Sequence, residues 1–348
     1  MTKQNLKNLG VSLGMLGAVM MTATSYAQQT ETVKKLPLAR TGRLMAGMPG
    51  QTRPGTAKAD AAKSDTPTYS YTLLAYPGTL STFGVGINPG AVGSNVEAVG
   101  AWLFPDGTSQ TSFRAFVGGP NGMTETYQLL NDPDAPTPQQ AYSVNDSGQV
   151  VGDYIDGSGI FHSYLADGNH FIPINVPFEG ATGTNDPAIN NSGEIIGDWT
   201  DSAGNSHGFT LIAGTYVSFD YPGAPQTFPF SINGAGDIVG AYADANGNDH
   251  GFLKKGKSYS SIDFPGALET YANGINSEGV IAGEYCAASS CLTTNQGVQG
   301  FVLKNGVYTT LDIPGEYFTS LQSISDKGTI LGIYGDADGL FYTFLATP

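Results

Sequence analysis

The segment Asp244-Ala-Asn246-Gly-Asn248-Asp249 places oxygen-bearing side chains at alternate positions. That is the donor set a hard cation such as Ca²⁺ requires. Two features count against a cation loop: Asp249 stands where a glycine would make the sharp turn, and Lys255 occupies the twelfth position, where a bidentate Glu belongs. A polar hairpin turn accounts for the same residues. Asp336 and Asp338, in Asp-Ala-Asp-Gly, form a shorter version of the pattern. A second group, Asp220, Asp263 and Asp312, recurs two residues before a proline, with Asn175 in the equivalent place. These residues could converge on a cation or a polar ligand, or each could cap its own turn through an Asx hydrogen bond.

Other reactive side chains are few. His162, His207 and His250 occupy one recurring position. Zinc needs its ligands within about 2 Å of one ion, so residues spread over separate repeats read as hydrogen-bonding groups at strand starts. Cys286 and Cys291, five apart in an exported chain, read as one local disulfide. The many carboxylates follow the repeat, so no nucleophile with its base stands out. Trp102 and Trp199 read as packing residues within middle strands.

The ends and the charge narrow the partners. Lys3 and Lys7 precede an apolar run from Leu9 to Met21, and Ser25-Tyr26-Ala27 follows with small residues for cleavage. Residues 1–27 are therefore expected to be a signal peptide, and the Gly-Val-Ser-Leu-Gly hydrolase-like pattern inside it is discarded. Residues 28–68 carry seven basic residues and no apolar periodicity, and read as a disordered linker or pro-segment. From residue 69 onward, six Lys and Arg face 27 Asp and Glu within a chain of net charge −15. Binding nucleic acid by counterion release needs clustered cations, so that partner is excluded, as is a membrane span.

The elements that must position these residues come from a repeat. The Ile-Asn turn at Ile87, Ile189, Ile232 and Ile275 recurs as Val144-Asn145 and Ile324-Ser325, and each is followed by a glycine inside a strand. Copies lie 43–45 residues apart where insertions do not stretch them, a period that belongs to a four-stranded propeller blade. Asn145-Asp-Ser-Gly148 and its counterparts suit a type I turn with a bulge. The second hairpins begin at Asp156, Asp201, Asp244 and Asp336, and the third use X-Gly turns such as Ala213-Gly214. The sixth copy lacks an outer strand, which Tyr71–Ala75 at the other end can supply. The expected fold is all-β: residues 69–348 as a six-bladed β-propeller, its ring closed by the N-terminal strand pairing with the last blade.

The phrase around His207-Gly-Phe209 and His250-Gly-Phe252, with its upstream Ile-Asn turn and downstream Pro-Gly, resembles the bacterial extracellular HAF repeat family. The resemblance implies an exported propeller, periplasmic or extracellular, and carries no catalytic residues. The expected function is binding, with a polysaccharide or cell-surface protein as partner and a monomeric chain. The competing reading is a polysaccharide lyase or hydrolase that uses acidic rim residues with Ca²⁺. Deviations from the repeat at 90–99, 133–140 and 286–296 are the places where a unique ligand site would sit.

Overall fold

The computed structural model describes residues 69–348, apart from 75–78, 80, 93–94, 104–109, 119–123, 131–133, 135–138, 290, 295 and 337–338. The expected signal peptide, the 28–68 segment and Asp338 lie outside the described residues.

Strand β1 (Ser70–Leu74) precedes four separate antiparallel sheets of four strands each. The first holds β2 (Ser81–Ile87), β3 (Val96–Leu103), β4 (Gln110–Gly118) and β5 (Thr124–Leu129). The second holds β6 (Gln139–Val144), β7 (Val150–Ile155), β8 (Phe161–Asp167) and β9 (His170–Ile174). The third holds β10 (Gly183–Ile189), β11 (Ile195–Thr200), β12 (Ser206–Ile212) and β13 (Thr215–Phe219). The fourth holds β14 (Gln226–Ile232), β15 (Ile238–Ala243), β16 (Asp249–Lys255) and β17 (Ser258–Ile262).

The remaining strands differ from the six separate blades expected. β18 (Glu269–Ile275), β19 (Ile281–Cys286), β20 (Val298–Lys304), β21 (Val307–Thr310), β22 (Phe318–Ile324), β23 (Ile330–Gly335) and β24 (Phe341–Thr347) join β1 in one eight-stranded sheet. The physical reason is local. A single parallel bridge, Val298 to Phe318, ties β20 to β22, and the Gly297 N–H donates to Tyr317 O at 2.7 Å beside it. A four-residue helix α1 (Cys291–Thr294) sits in the same region. β1 pairs antiparallel with β24, from Ser70 opposite Thr347 to Leu74 opposite Thr343.

The middle strands are buried on both faces because each sheet lies between neighbours. β15, for example, is buried at every position but Tyr242. The first strand of each sheet packs on the sheet before it, and β2 packs on β22, β23 and β24. Each first strand also carries a register shift near its end, such as Pro229/Ser231 and Ala272/Gly274. Such a bulge bends the strand locally. Two small cavities of about 50 and 20 Å³ lie among these strands, both lined by residues of β2, β6, β10, β14, β18 and β22.

The recurring asparagine does two jobs. Asn190 Oδ1 accepts the N–H groups of Ser192 and Glu194, both at 3.0 Å, which fixes its own turn. Its Nδ2 donates to Asn233 O in the next sheet at 3.0 Å. Asn145 donates in the same way to Asn190 O, Asn233 to Asn276 O, and Asn276 to Ser325 O. Ser325 Oγ then donates to Ala91 O at 2.8 Å, and Asn88 Nδ2 to Asp146 Oδ1 at 2.8 Å. The turn glycines, such as Gly193 at φ 75° and Gly236 at φ 79°, take the left-handed conformation that the type I turn and bulge require.

Candidate functional site

In these up-and-down sheets, the first and third hairpins lie at one end. The second hairpins and the links to the next sheet lie at the other. Charge divides along the same line. Lys255 pairs with Asp237 at 2.9 Å, Lys304 with Glu278 at 3.4 Å and Arg114 with Glu97, all at the end that carries the asparagine turns. Lys254, Lys257 and Lys327 belong to hairpins of that end too. The opposite rim has Asp156, Asp201, Asp220, Asp244, Asp263, Asp312 and Asp336, and its only described basic side chains are His162, His207 and His250.

On that rim, a histidine joins two carboxylates of its own sheet. His207 Nδ1 lies 2.9 Å from Asp220 Oδ1, and its Nε2 lies 3.4 Å from Asp201 Oδ2. His250 Nδ1 lies 2.7 Å from Asp263 Oδ1, and its Nε2 lies 3.7 Å from Asp244 Oδ2. Gln299 takes the place of the histidine in the next unit and donates to Asp312 at 3.2 Å. In the second sheet His162 meets Asp156 at 3.1 Å. Each ring stacks on the middle-strand aromatic beside it: Tyr154 on His162, Trp199 on His207, Tyr242 on His250. The stacks continue across the sheet boundary, where Tyr221 lies 3.7 Å from Tyr242 and Phe264 lies 3.6 Å from Tyr285. Burial and the Tyr242 hydroxyl push the Tyr221 phenol up to about 12.

The predicted ligand residues therefore share one rim but not one point. Asp220 and Asp263 have side chains 48% and 53% exposed. Capping of the adjacent turn falls instead to a threonine: Thr227 Oγ1 accepts the Tyr221 N–H at 2.9 Å, and Thr270 and Thr319 do the same for Phe264 and Ile313. Asp263 Oδ2 accepts from Ser261 Oγ at 2.6 Å. Asn175, exposed at the end of the second sheet, touches Tyr216 through its backbone.

The Asp244 turn does not fit a cation. Asp244 Oδ1 accepts the N–H groups of Asn246 and Asn248 at 2.8 and 2.9 Å, and the amide nitrogens of both residues approach Oδ2. The N–H of Asn248 leads these donors in holding the Asp244 carboxyl well below the usual carboxylate range. At Asp201 burial opposes the same arrangement, yet the Asn205, His207 and Ala203 donors hold its carboxyl at about 2. Asp336 accepts the Leu340 N–H and the Tyr342 hydroxyl. No group of three or more His, Cys, Asp and Glu among the described residues is arranged to hold a metal ion. Cys286 and Cys291 form the expected disulfide, with Cα atoms 5.7 Å apart. No described helix is long and apolar enough to cross a membrane.

Sequence reasoning missed a buried group. Asp153, Asp186 and Asp198 lie together with Tyr142 between the second and third sheets, and Asp249, Glu269 and Glu284 lie with Tyr271 further round. A signal was present: the residue after the middle-strand glycine is Ala101, Ala241 or Ile333 in three units but Asp153, Asp198 or Glu284 in the others.

The sequence matches no protein-family model and no curated protein. Solved structures do resemble the chain. An arginine-to-alanine triple mutant of AofleA from Arthrobotrys oligospora superposes with a TM-score of 0.50 at 12% identity, over 82% of this chain and 88% of that one. The fold is a β-propeller of four-stranded blades. The six-bladed, fucose-recognising lectin of Aleuria aurantia gives a TM-score of 0.48 at 12% identity, over 77% of this chain and 93% of its own. Trypanosoma rangeli sialidase gives 0.49 at 11% identity over 81% of this chain, which spans 59% of the sialidase chain.

Proposed function

We propose that the chain is an exported, six-bladed propeller that binds carbohydrate along its acidic rim and performs no chemistry of its own. The observation that carries this reading is the recurrence, on one rim, of an aspartate oriented by a histidine or glutamine beside an aromatic stack, exposed at Asp220 and Asp263 and half-buried at Asp312. Exposed carboxylates with fixed geometry suit sugar hydroxyl groups, which donate hydrogen bonds in pairs. They also repel polyanions, since no lysine or arginine offsets them at that rim among the described residues.

Six blades are supported by the two cavities, to which six first strands contribute, and by counting the eight-stranded sheet as two blades joined at one bridge. Closure of the ring is supported by Thr343 Oγ1, which donates to Thr82 O at 2.8 Å, and by the β1–β24 pairing. Export is supported by the disulfide and by the signal-like N-terminus. Membership of the HAF repeat family rests on the repeated phrase. The hydrolase or lyase reading finds less support: the carboxyl groups whose pKa is most raised are sealed from solvent, and the two cavities described among the first strands hold water rather than a sugar ring.

The test is to apply the mature chain to an array of bacterial and plant polysaccharides, reading both retained protein and released sugar. Retention without release is expected. Release of sugar, or retention on no glycan, would contradict the proposal.

A further inference from the structure

The rim site leaves the buried carboxyl groups unused. Asp153, Asp186, Asp198, Asp249, Glu269 and Glu284 are at most 8% exposed, and the described lysines and Arg114 lie elsewhere. In the first cluster, Asp153 on β7 is faced by Tyr142 on β6, Asp186 on β10 and Asp198 on β11. β8 contributes Ser163 opposite Asp153, while His162 and Asp167 at its ends are held by Asp156 and Gln149. β12 contributes Gly208 opposite Asp198, and its His207 is turned to Asp201 and Asp220. In the second cluster the Tyr271 hydroxyl lies 2.7 Å from Asp249 Oδ2 and 3.3 Å from Glu269 Oε2. Glu284 on β19 stands opposite Tyr271, and the neighbouring β22 presents Ser320 and Gln322 but no titratable group.

An ionised carboxylate only accepts hydrogen bonds, whereas a protonated one also donates. Carboxyl oxygens in both clusters go unpaired. Asp153 Oδ2, Asp198 Oδ1 and Asn185 Oδ1 in the first, and Glu284 Oε2 and Asn273 Oδ1 in the second, have no hydrogen-bond partner among the described residues, although the Tyr142, Ser163 and Ser206 hydroxyls lie in the first cluster. A bound proton supplies an O–H donor and removes a buried charge that no base offsets. We propose that the two clusters form a proton-loaded lock, which holds adjacent sheets together near the axis while the carboxyl groups are neutral and loosens them when these ionise.

The acidities point the same way. Burial first, and the neighbouring carboxylates second, raise Asp153 and Asp198 well above the usual range. Burial pushes Glu284 up to about 7. A carboxyl group whose pKa is raised by folding stabilises the fold fully below its unfolded pKa. That contribution is lost as the pH rises toward and past the folded value. For Glu284 the window runs from 4.5 to about 7; Asp153 and Asp198 contribute with the same sign. The propeller is thus tightest in mildly acidic surroundings.

The experiment is urea unfolding of the whole chain at pH 5, 6, 7 and 8, with Glu284→Gln and Asp198→Asn compared against the exposed Glu179→Gln. The unfolding constant of the unaltered chain is expected to rise with pH, by about tenfold per unit for each proton released. Glu284→Gln should flatten that slope by close to one proton between pH 5 and 7; Glu179→Gln should leave it unchanged. A flat or falling profile for the unaltered chain, or an unchanged slope in Glu284→Gln, overturns the proposal. If the variants do not fold, hydrogen exchange of the unaltered chain still decides. Amides of β10 and β18, corrected for intrinsic rate, should lose protection at pH 8 relative to pH 5.5, and equal protection overturns it.

Discussion

At the scale of single residues, the asparagine of the recurring turn carries the most structure per atom. Its carbonyl oxygen closes its own turn and its amide reaches the next sheet. Asn190→Ala removes these bonds and the one from its amide to Glu194 Oε2, four in all, and leaves buried groups unpaired, so it should destabilise the chain by about 3 kcal/mol in denaturant unfolding. Asn190→Asp keeps the acceptor but loses the donors to Asn233 O and Glu194 Oε2 and sets a carboxylate against that of Glu194, so it should recover little of this loss. The sequence showed that this residue closes a turn, because Asn at the first position and Gly at the fourth are a local pattern. It could not show the bond to the following sheet, which exists only once two distant segments are side by side. Asp220 and Asp263 mark the same boundary. Local pattern favoured turn caps, yet Thr227 and Thr270 provide the caps and leave the aspartates to the histidines.

At the scale of elements, four strands per repeat followed from turn chemistry, since each hairpin has its own signature. The bulge in every first strand left no such signature, because different residues (Asn185 and Pro229 among them) flank it from unit to unit. The disulfide was legible from the spacing of two cysteines in a chain with a signal-like N-terminus. It closes a short loop between β19 and β20 and packs beside Phe318 and Phe341. Replacing both Cys286 and Cys291 by Ser should lower the unfolding free energy by about 2 kcal/mol, the loop-closure contribution expected for so short a ring. Urea unfolding of the variant against the unaltered chain checks this.

At the scale of the whole molecule, the separation of charge between the two ends is the property that bears most on function. Net charge was readable at once; its segregation became visible only when the hairpins were assigned to ends. The buried acids were the least legible, because composition counts them with the surface carboxylates that solvate an acidic protein. The most direct test of rim binding is calorimetric titration of an oligosaccharide cut from a retained polymer. It would be run into the unaltered chain and into the Asp220→Asn/Asp263→Asn double variant. The account predicts saturable binding to the former and at least about tenfold weaker binding to the latter, equivalent to about 1.4 kcal/mol. Equal affinity in the two proteins would place the ligand elsewhere and contradict it.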